Sequence, residues 1–193
     1  MSVFAQKKLI RQKFKKIRNN LEPEYITNSL PLIIENSIKF LEKLKHSLVI
    51  GAYWPLNNEL NVAPLLQHLA NKNITCALPV LAKDSAALEF KTWIPHTKLV
   101  INDRYHISEP IGTVYTIPNV IIAPLIACDI EGNRIGYGKG FYDKYLIKQR
   151  KTKKLLHVIA LCYEKQLSQV LLPYEEHDQK LDVIITEKKV LVL

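Results

Sequence analysis

Apolar residues near the start of the chain recur at the spacing of an α-helix. The members of this stripe lie three or four positions apart: Ile10, Phe14, Ile17 and Leu21. Charged residues fill the positions between them, so the pattern predicts an amphipathic helix that packs one face on the protein. A second helical pattern covers residues 24–45, and Pro31 within it predicts an interruption or a kink.

Five later segments are short, apolar and rich in β-branched residues. They are residues 47–54, 75–80, 119–124, 157–163 and 182–187. Runs of this kind predict buried strands. Helical patterns over residues 61–72, with Asn61 as a plausible N-cap, and over about 139–151 separate several of these strands.

This alternation of strands and helices predicts an α/β fold. We expect one three-layer domain over residues 1–193, with a mostly parallel β-sheet flanked by helices, since the chain has no internal repeat, low-complexity segment or Gly/Ser linker. In such sheets, ligands bind beyond the carboxyl ends of the strands. The loops after Tyr53, Pro124 and Tyr163 are therefore the first places to look for a site.

Composition excludes several classes of protein. The three cysteines are far apart and form no CxxC pair, so they indicate neither a disulfide framework nor a zinc site, and they fit a reducing cytosol. Charges interrupt the opening segment, and no run reaches the roughly 18 apolar residues of a membrane span. We expect a soluble cytoplasmic protein with no membrane partner.

The net charge of +9 favours an anionic ligand without saying which. None of the common nucleic-acid-binding motifs is present, so we expect no nucleic-acid partner. A small basic RNA-binding protein stays open as an alternative on charge alone.

The segment that follows the third predicted strand carries the most chemistry. Its glycines alternate with other residues, and its polar groups are close together: Arg134, Gly136, Gly138, Lys139, Gly140, Tyr142 and Asp143. A strand, a glycine loop and a helix start together favour a phosphate cradle, because free backbone amides and the helix dipole attract anions. The segment lacks a P-loop and, with Phe141 in place of the third glycine, a dinucleotide fingerprint. A surface loop with a helix cap is the alternative.

The run RIGYGKGFYDKYL resembles the signature of the 5-formyltetrahydrofolate cyclo-ligase family, also called methenyltetrahydrofolate synthetases. Further similar features occur in order: Lys7 and Arg11, YWPLNNEL around Glu59, Glu109-Pro110, and PYEEHDQKLDVIITE. The resemblance spans nearly the whole chain. It implies an enzyme that uses ATP and Mg²⁺ to convert 5-formyltetrahydrofolate into 5,10-methenyltetrahydrofolate, releasing ADP and phosphate.

The resemblance also implies roles for individual residues. Arg134 and Tyr142 would be catalytic, and Asp143 and Asp182 would bind Mg²⁺. The residues expected to bind ATP are Lys7, Arg11, Arg134, Gly136, Gly138, Lys139, Gly140, Phe141 and Tyr142. The residues expected to bind the folate, which could carry several glutamates, are Leu56, Glu59, Trp93 and Glu109.

Each assignment has a structural alternative. Lys7 and Arg11 lie on the rim of the apolar stripe of their helix, at roughly 100° per residue, and could instead form a solvated basic face. Trp93 could be a core residue, and Asp182 a turn residue that His177 and Asp178 support. A nucleotide-binding regulatory module without turnover is the alternative function, and we expect a monomer.

Overall fold

A computed structural model describes residues 1–44, 47–82, 87–152 and 157–193. Within these ranges the α-helices are α1 (Val3–Asn19), α2 (Pro23–Leu41), α3 (Ala63–Asn71) and α4 (Phe141–Lys151), with a 3-10 turn at Glu164–Gln166. The strands are β1 (Val49–Ala52), β2 (Thr75–Leu81), β3 (Leu88–Trp93), β4 (Leu99–Ile101), β5 (Ser108–Pro110), β6 (Val120–Ile122), β7 (Ala127–Asp129), β8 (Arg134–Ile135), β9 (His157–Leu161), β10 (Leu167–Ser168), β11 (Val183–Ile185) and β12 (Val190–Val192).

The largest sheet has the order β12-β11-β9-β6-β1-β2-β3. Its neighbours from β11 to β2 are all parallel, and the two edge strands, β12 and β3, are antiparallel. Each of the five strands predicted from sequence lies in the parallel part. The predicted α/β fold with a mostly parallel sheet is therefore confirmed.

Helices cover both faces of this sheet. Alternate residues of the strands, such as Val120 and Ile122, share one apolar cluster with residues of α2 and α3. The intervening Ile121 faces the opposite cluster, where Tyr145 and Leu146 of α4 pack. Phe14 of α1 packs in a third cluster, against β7 and β8. The strands read as continuous apolar runs because both of their faces are buried.

The predicted helices form with small changes in their bounds. Helix α2 runs through Pro31 without an interruption, and Lys45 at the end of the predicted segment lies outside the described residues. The N-cap of α3 is Val62 and not Asn61 as predicted, although the Asn61 side chain accepts a hydrogen bond from the N–H of Ala63 at the start of the helix. Helix α4 begins at Phe141 because Gly140, with φ of 67°, precedes it in the left-handed conformation.

Two small sheets lie beside the large one. Strands β10, β7 and β8 form one, and the hairpin of β4 and β5 forms the other. Strand β8 leads directly into the glycine segment, so this sheet fixes where that segment starts. No helix in the described ranges has the length and apolar character needed to cross a membrane.

Candidate active site

A cleft of about 1180 Å³ opens at the carboxyl end of the parallel sheet. Its walls come from α1, from the loops after β1 and β6, from the glycine segment and the first turns of α4, and from two loops at 104–108 and 175–178. Sites for single small molecules usually occupy about 300–1000 Å³, so this cleft has room for more than one ligand. Its position is the one that ligands favour in parallel sheets.

The glycine segment and the start of α4 form the floor of the cleft. Gly138 and Gly140 have φ of 90° and 67°, a region of backbone conformation that glycine adopts without strain. No atom lies within 4 Å of the Cβ positions of Gly136 and Gly140, so the backbone there is open to a ligand. Residues 136–144 all line the cleft, which points the amino end of α4 at the cleft and favours an anion there.

Helix α1 supplies two cations to the same cleft. Arg11 donates from Nε to the carbonyl oxygen of Gly136 at 2.8 Å and thereby holds the glycine segment against the helix. Lys7 is 5% exposed, and its ammonium pairs with Glu175 at 2.8 Å and with Asp178. The structure therefore places both Lys7 and Arg11 in the cleft that the glycine segment lines, where the sequence analysis expected them.

Arg134 and Asp143 form an ion pair inside the cleft. Their side chains are 2.8 Å apart, and that of Arg134 is only 6% exposed. Arg134 also donates to the carbonyl oxygen of Gln179, while Asp143 accepts from the N–H of the same residue at 3.0 Å. The glycine segment and the 175–179 loop are thus joined through these two side chains.

Carboxylates gather at this end of the cleft. Ligand atoms of Glu175, His177 and Asp178 all lie within 4.8 Å of one another, and Asp143 lines the same cleft. Oxygen donors of this kind suit Mg²⁺, which favours carboxylates and phosphate oxygens. These residues therefore fit the Mg²⁺ ion that the sequence analysis expected. The ligands beside Asp143 would come from the 175–178 loop and not from Asp182.

Asp182 requires a correction, because the structure does not bring it to the cleft. It accepts hydrogen bonds from the N–H of Val158 at 2.7 Å and from Arg150 at 3.1 Å. Asp182 precedes β11, so it lies at the amino end of a parallel strand, at the edge of the sheet opposite the cleft. Asp178, which the sequence analysis treated as local support for Asp182, lies on the cleft side and contacts Lys7 instead.

Trp93 also requires a correction. It is 5% exposed, packs in the core with α2 and α3, and is not among the residues that line the cleft. Its ring centroid lies 5.8 Å from that of Trp54, which does line the cleft. The aromatic surface offered to a ligand is therefore that of Trp54.

Glu109 lies behind the cleft wall and not on its surface. Its carboxylate accepts from the N–H of Leu81 and from the side chain of Asn102, both at 3.0 Å. Asn102 begins the loop whose residues 104–108 line the cleft. Glu109 therefore positions this loop and does not face a ligand.

Glu59 and Leu56 also line the cleft, in the turn after β1. The Glu59 carboxylate accepts from the N–H of Leu56 at 2.8 Å. It also lies near the hydroxyls of Tyr137 and Tyr142, since its charge acts on both. Burial, with the Glu59 charge added to it, raises the pKa of both tyrosines well above the usual value. Both hydroxyls are protonated at neutral pH and can donate hydrogen bonds.

The Tyr142 hydroxyl is buried and has no hydrogen-bond partner among the described residues. A buried hydroxyl without a partner is costly for a folded protein. Since Tyr142 lines the cleft, a ligand that enters the cleft could supply the missing partner. This is the feature of the site that most directly indicates a bound molecule.

Several residues of the cleft escaped the sequence analysis. They are Phe4, Trp54, Arg104, Tyr105, His106, Ile107, Ser108, Tyr137, Lys144, Ile147, Glu175 and Asp178. The 104–108 loop carries no pattern that could have indicated a site. For Asp178 and Glu175 a signal existed, because three acidic residues and a histidine occupy four consecutive positions.

Comparisons with known proteins match nearly the whole chain. The model of the 5-formyltetrahydrofolate cyclo-ligase family matches residues 3–187. The 5-formyltetrahydrofolate cyclo-ligase of Escherichia coli (strain K12) is 33% identical over 147 residues, which cover 73% of this chain and 79% of that protein. The protein of the same name from Haemophilus influenzae is 29% identical over 183 residues, which cover 91% and 95% of the two chains.

Solved structures agree with these matches. The structure of Aquifex aeolicus 5,10-methenyltetrahydrofolate synthetase has a TM-score of 0.75 and 27% sequence identity, and it covers 97% of this chain and 92% of its own. The synthetase from Mycoplasma pneumoniae has a TM-score of 0.70 at 23% identity, which supports the fold.

Proposed function

Because the chain belongs to the 5-formyltetrahydrofolate cyclo-ligase family, we propose that it closes 5-formyltetrahydrofolate to 5,10-methenyltetrahydrofolate in this cleft, at the expense of ATP. One observation carries the proposal. The segment that resembles the family signature lines a single cleft together with Lys7, Arg11 and Glu59, which come from distant parts of the chain. The whole chain, residues 1–193, would act as one unit.

The proposed chemistry proceeds in two steps. The formyl oxygen attacks the terminal phosphorus of ATP, and ADP leaves. The neighbouring nitrogen then attacks the formyl carbon, loses its proton, and phosphate leaves with the former formyl oxygen. Phosphorylation is needed because a formamide oxygen is a poor leaving group. Such transfers depend on positioning and on neutralising charge more than on a protein nucleophile.

Cations and backbone amides would hold the phosphates of ATP. Lys7, Arg11, Arg134 and Lys139 all line the cleft around the amino end of α4. The backbone from Gly136 to Tyr142 lies between them and is free of Cβ hindrance at Gly136 and Gly140. This arrangement supports binding of the triphosphate across the start of α4, with Phe141 and Tyr142 beneath it.

Asp143 would hold Mg²⁺ together with Asp178 or Glu175. When bound, the ion would neutralise the negative charge of the phosphates of ATP. In the structure these carboxylates pair with the cations of the cleft, Asp143 with Arg134 and Asp178 with Lys7. Binding would exchange these ion pairs, so that the cations turn to the phosphates while the carboxylates turn to the ion.

If binding exchanges these ion pairs, replacing Lys7 should strengthen metal binding and weaken nucleotide binding. Lys7→Met removes the ammonium from Glu175 and Asp178, so we expect Mn²⁺, used as a probe for Mg²⁺, to bind about fivefold tighter without nucleotide. The same variant should bind an ATP analogue about tenfold more weakly, since it lacks a phosphate partner. Electron paramagnetic resonance measures free Mn²⁺, and calorimetry measures nucleotide binding.

Lys8→Met is the matched control, because Lys8 is the exposed neighbour of Lys7 on α1. It should leave both affinities within about twofold of the original protein. Weaker Mn²⁺ binding by Lys7→Met would contradict the proposed exchange of ion pairs.

The folate would bind at the Glu59 end of the cleft. A carboxylate there can accept hydrogen bonds from the nitrogens of the pterin ring, and Leu56 and Trp54 offer apolar contact beside it. The Tyr142 hydroxyl lies near Glu59 and can donate to the substrate in the space between the two ligands. Arg134 and Tyr142 are therefore the residues that we propose to be catalytic.

Tyr142→Phe should lower activity without harming the fold. The hydroxyl has no partner in the part of the chain that the structure describes, so its loss should leave the melting temperature unchanged or slightly higher. We expect kcat/KM to fall about tenfold, because a hydrogen bond to the substrate is lost. Thermal denaturation and steady-state kinetics measure the two effects. Tyr145→Phe on the same helix, outside the cleft lining, is the control and should keep full activity.

The direct test of the function is turnover. The protein is mixed with Mg²⁺, ATP and 5-formyltetrahydrofolate, and the absorbance of methenyltetrahydrofolate is followed. A rise that requires all three components supports the proposal. Tight binding of ATP without any rise would favour the alternative of a regulatory nucleotide-binding module.

We also propose where the reaction takes place and in which state. The three cysteines are free thiols, which suits a reducing cytoplasm. We also propose that the protein acts as a monomer.

A further inference from the structure

Arg18 is a buried cation that has no carboxylate partner among the described residues. It lies on α1, it is 7% exposed, and its Nε has no hydrogen-bond partner in those ranges. Burying an unpaired guanidinium lowers the stability of the folded protein, which suggests that Arg18 has a functional role. Its side chain contacts Tyr137 in two ways: Nη1 donates a hydrogen bond to the hydroxyl at 2.9 Å, and the guanidinium carbon lies 5.9 Å from the centroid of the ring.

Tyr137 connects Arg18 with the cleft. It lies between Gly136 and Gly138, and it lines the cleft. Glu59 lines the same cleft, and after burial its charge is the main factor that raises the pKa of the hydroxyl that accepts from Arg18. A hydroxyl that accepts an N–H from one side keeps its proton for the other side, so the Arg18 contact leaves the Tyr137 proton free to point toward Glu59.

Arg18 thus acts through Tyr137 on the Glu59 carboxylate, which we propose to bind the pterin ring. The N–H of Leu56 already holds one oxygen of this carboxylate at 2.8 Å. A second donor from Tyr137 would stop the carboxylate from rotating about that contact, so that its remaining lone pairs point in one direction.

We propose that Arg18 and Tyr137 are positioning residues that orient the Glu59 carboxylate toward the N–H groups of the substrate ring. This inference rests on the proposed function. It also explains why α1 carries cations at both ends of the site: Lys7 and Arg11 face the phosphate region, and Arg18 acts on the substrate region through Tyr137.

Tyr137→Phe tests the proposal with a change of one oxygen atom. We expect the dissociation constant of 5-formyltetrahydrofolate, measured by fluorescence titration without ATP, to rise about tenfold, which is the scale for one hydrogen bond to a charged group. The KM for ATP should stay within about twofold, since the phosphate contacts remain. An equal effect on both ligands, or no effect on the folate, would overturn the proposal.

Arg18 variants give a second, graded test. Arg18→Met should weaken folate binding as Tyr137→Phe does, whereas Arg18→Lys should restore most of the affinity, because an ammonium can also donate to the hydroxyl. Lys16→Met, at an exposed position of the same helix, is the control for loss of charge and should bind folate normally. If Arg18→Lys binds as poorly as Arg18→Met while both melt like the original protein, the positioning role is contradicted.

A double substitution separates this inference from the proposed function. In a Glu59→Gln background, Tyr137→Phe should weaken folate binding less than about twofold further, because both changes act on one interaction. If Glu59→Gln alone leaves folate affinity unchanged, the proposed folate site itself fails. If Glu59→Gln weakens binding but Tyr137→Phe does not, only the positioning role is overturned.

Discussion

Replacing Arg134 with alanine should lower kcat/KM for 5-formyltetrahydrofolate about 100- to 1000-fold, or about 2.7 to 4 kcal/mol, which is the scale for removing one preorganised charge donor. The Arg134 side chain is almost fully buried in the cleft wall, so water cannot replace its charge easily. It would stabilise the phosphoryl group during transfer, when charge on the bridging oxygens changes. Steady-state kinetics with both substrates varied measures this loss.

Arg150→Ala is the matched control for this prediction. Arg150 also pairs with a carboxylate, that of Asp182, but it lies outside the cleft lining. Its loss should change kcat/KM less than about twofold. A change of less than about fivefold in Arg134→Ala would show that Arg134 has no role in the transfer.

Asp143→Asn should raise the Mg²⁺ concentration needed for half-maximal rate by at least about tenfold, because an amide oxygen is a much weaker ligand for Mg²⁺ than a carboxylate. The KM for 5-formyltetrahydrofolate should change less, since we propose that Asp143 acts through the metal on the phosphates and not on the folate. Asparagine keeps an oxygen that can accept from the N–H of Gln179, so the loop contact can survive. A titration of the initial rate with Mg²⁺ measures the effect.

Asp182→Asn is the control, and it also tests the original sequence prediction. Asp182 lies at the opposite edge of the sheet, bonded to Arg150 and to the N–H of Val158. We expect the Mg²⁺ titration of this variant to match that of the original protein. A shift as large as that of Asp143→Asn would mean that Asp182 does bind the ion and that its correction here is wrong.

The sheet could be predicted from the sequence because its strands are buried on both faces. Continuous apolar runs such as residues 119–124 and 157–163 contain strands β6 and β9 of the parallel core. The short strands of the two small sheets, such as β8 with two residues, carry too little pattern to be recognised. Their pairing depends on contacts between distant parts of the chain.

The phosphate end of the site was predictable for a different reason. The glycines and charges from Arg134 to Asp143 are close in sequence, so their chemistry could be read from one segment. Asp182 was misplaced because its role came from the resemblance alone. It opens the predicted strand 182–187, and ligands bind beyond the carboxyl ends of parallel strands, not at their amino ends. Trp93 was misplaced because an aromatic residue on a strand suits a ligand and a core equally well, and here it packs in the core.

The contacts across the cleft could not be predicted. Asp178 meets Lys7 across 171 positions of the chain, and Arg18 meets Tyr137 across 119. No local pattern links these residues, because only the packing of α1 against the glycine segment brings them together. The structure was therefore needed to find both the acidic loop and the Arg18 contact.

A crystal structure with Mg²⁺ and a nonhydrolysable ATP analogue tests the central claim most directly. The account predicts phosphate oxygens within hydrogen-bond distance of the backbone N–H groups between Gly138 and Asp143, with the metal bound to the Asp143 carboxylate. It also predicts that Lys7 and Arg134 have turned from their carboxylate partners to the phosphates. A nucleotide bound elsewhere, with the Arg134 and Asp143 pair intact, would contradict the account.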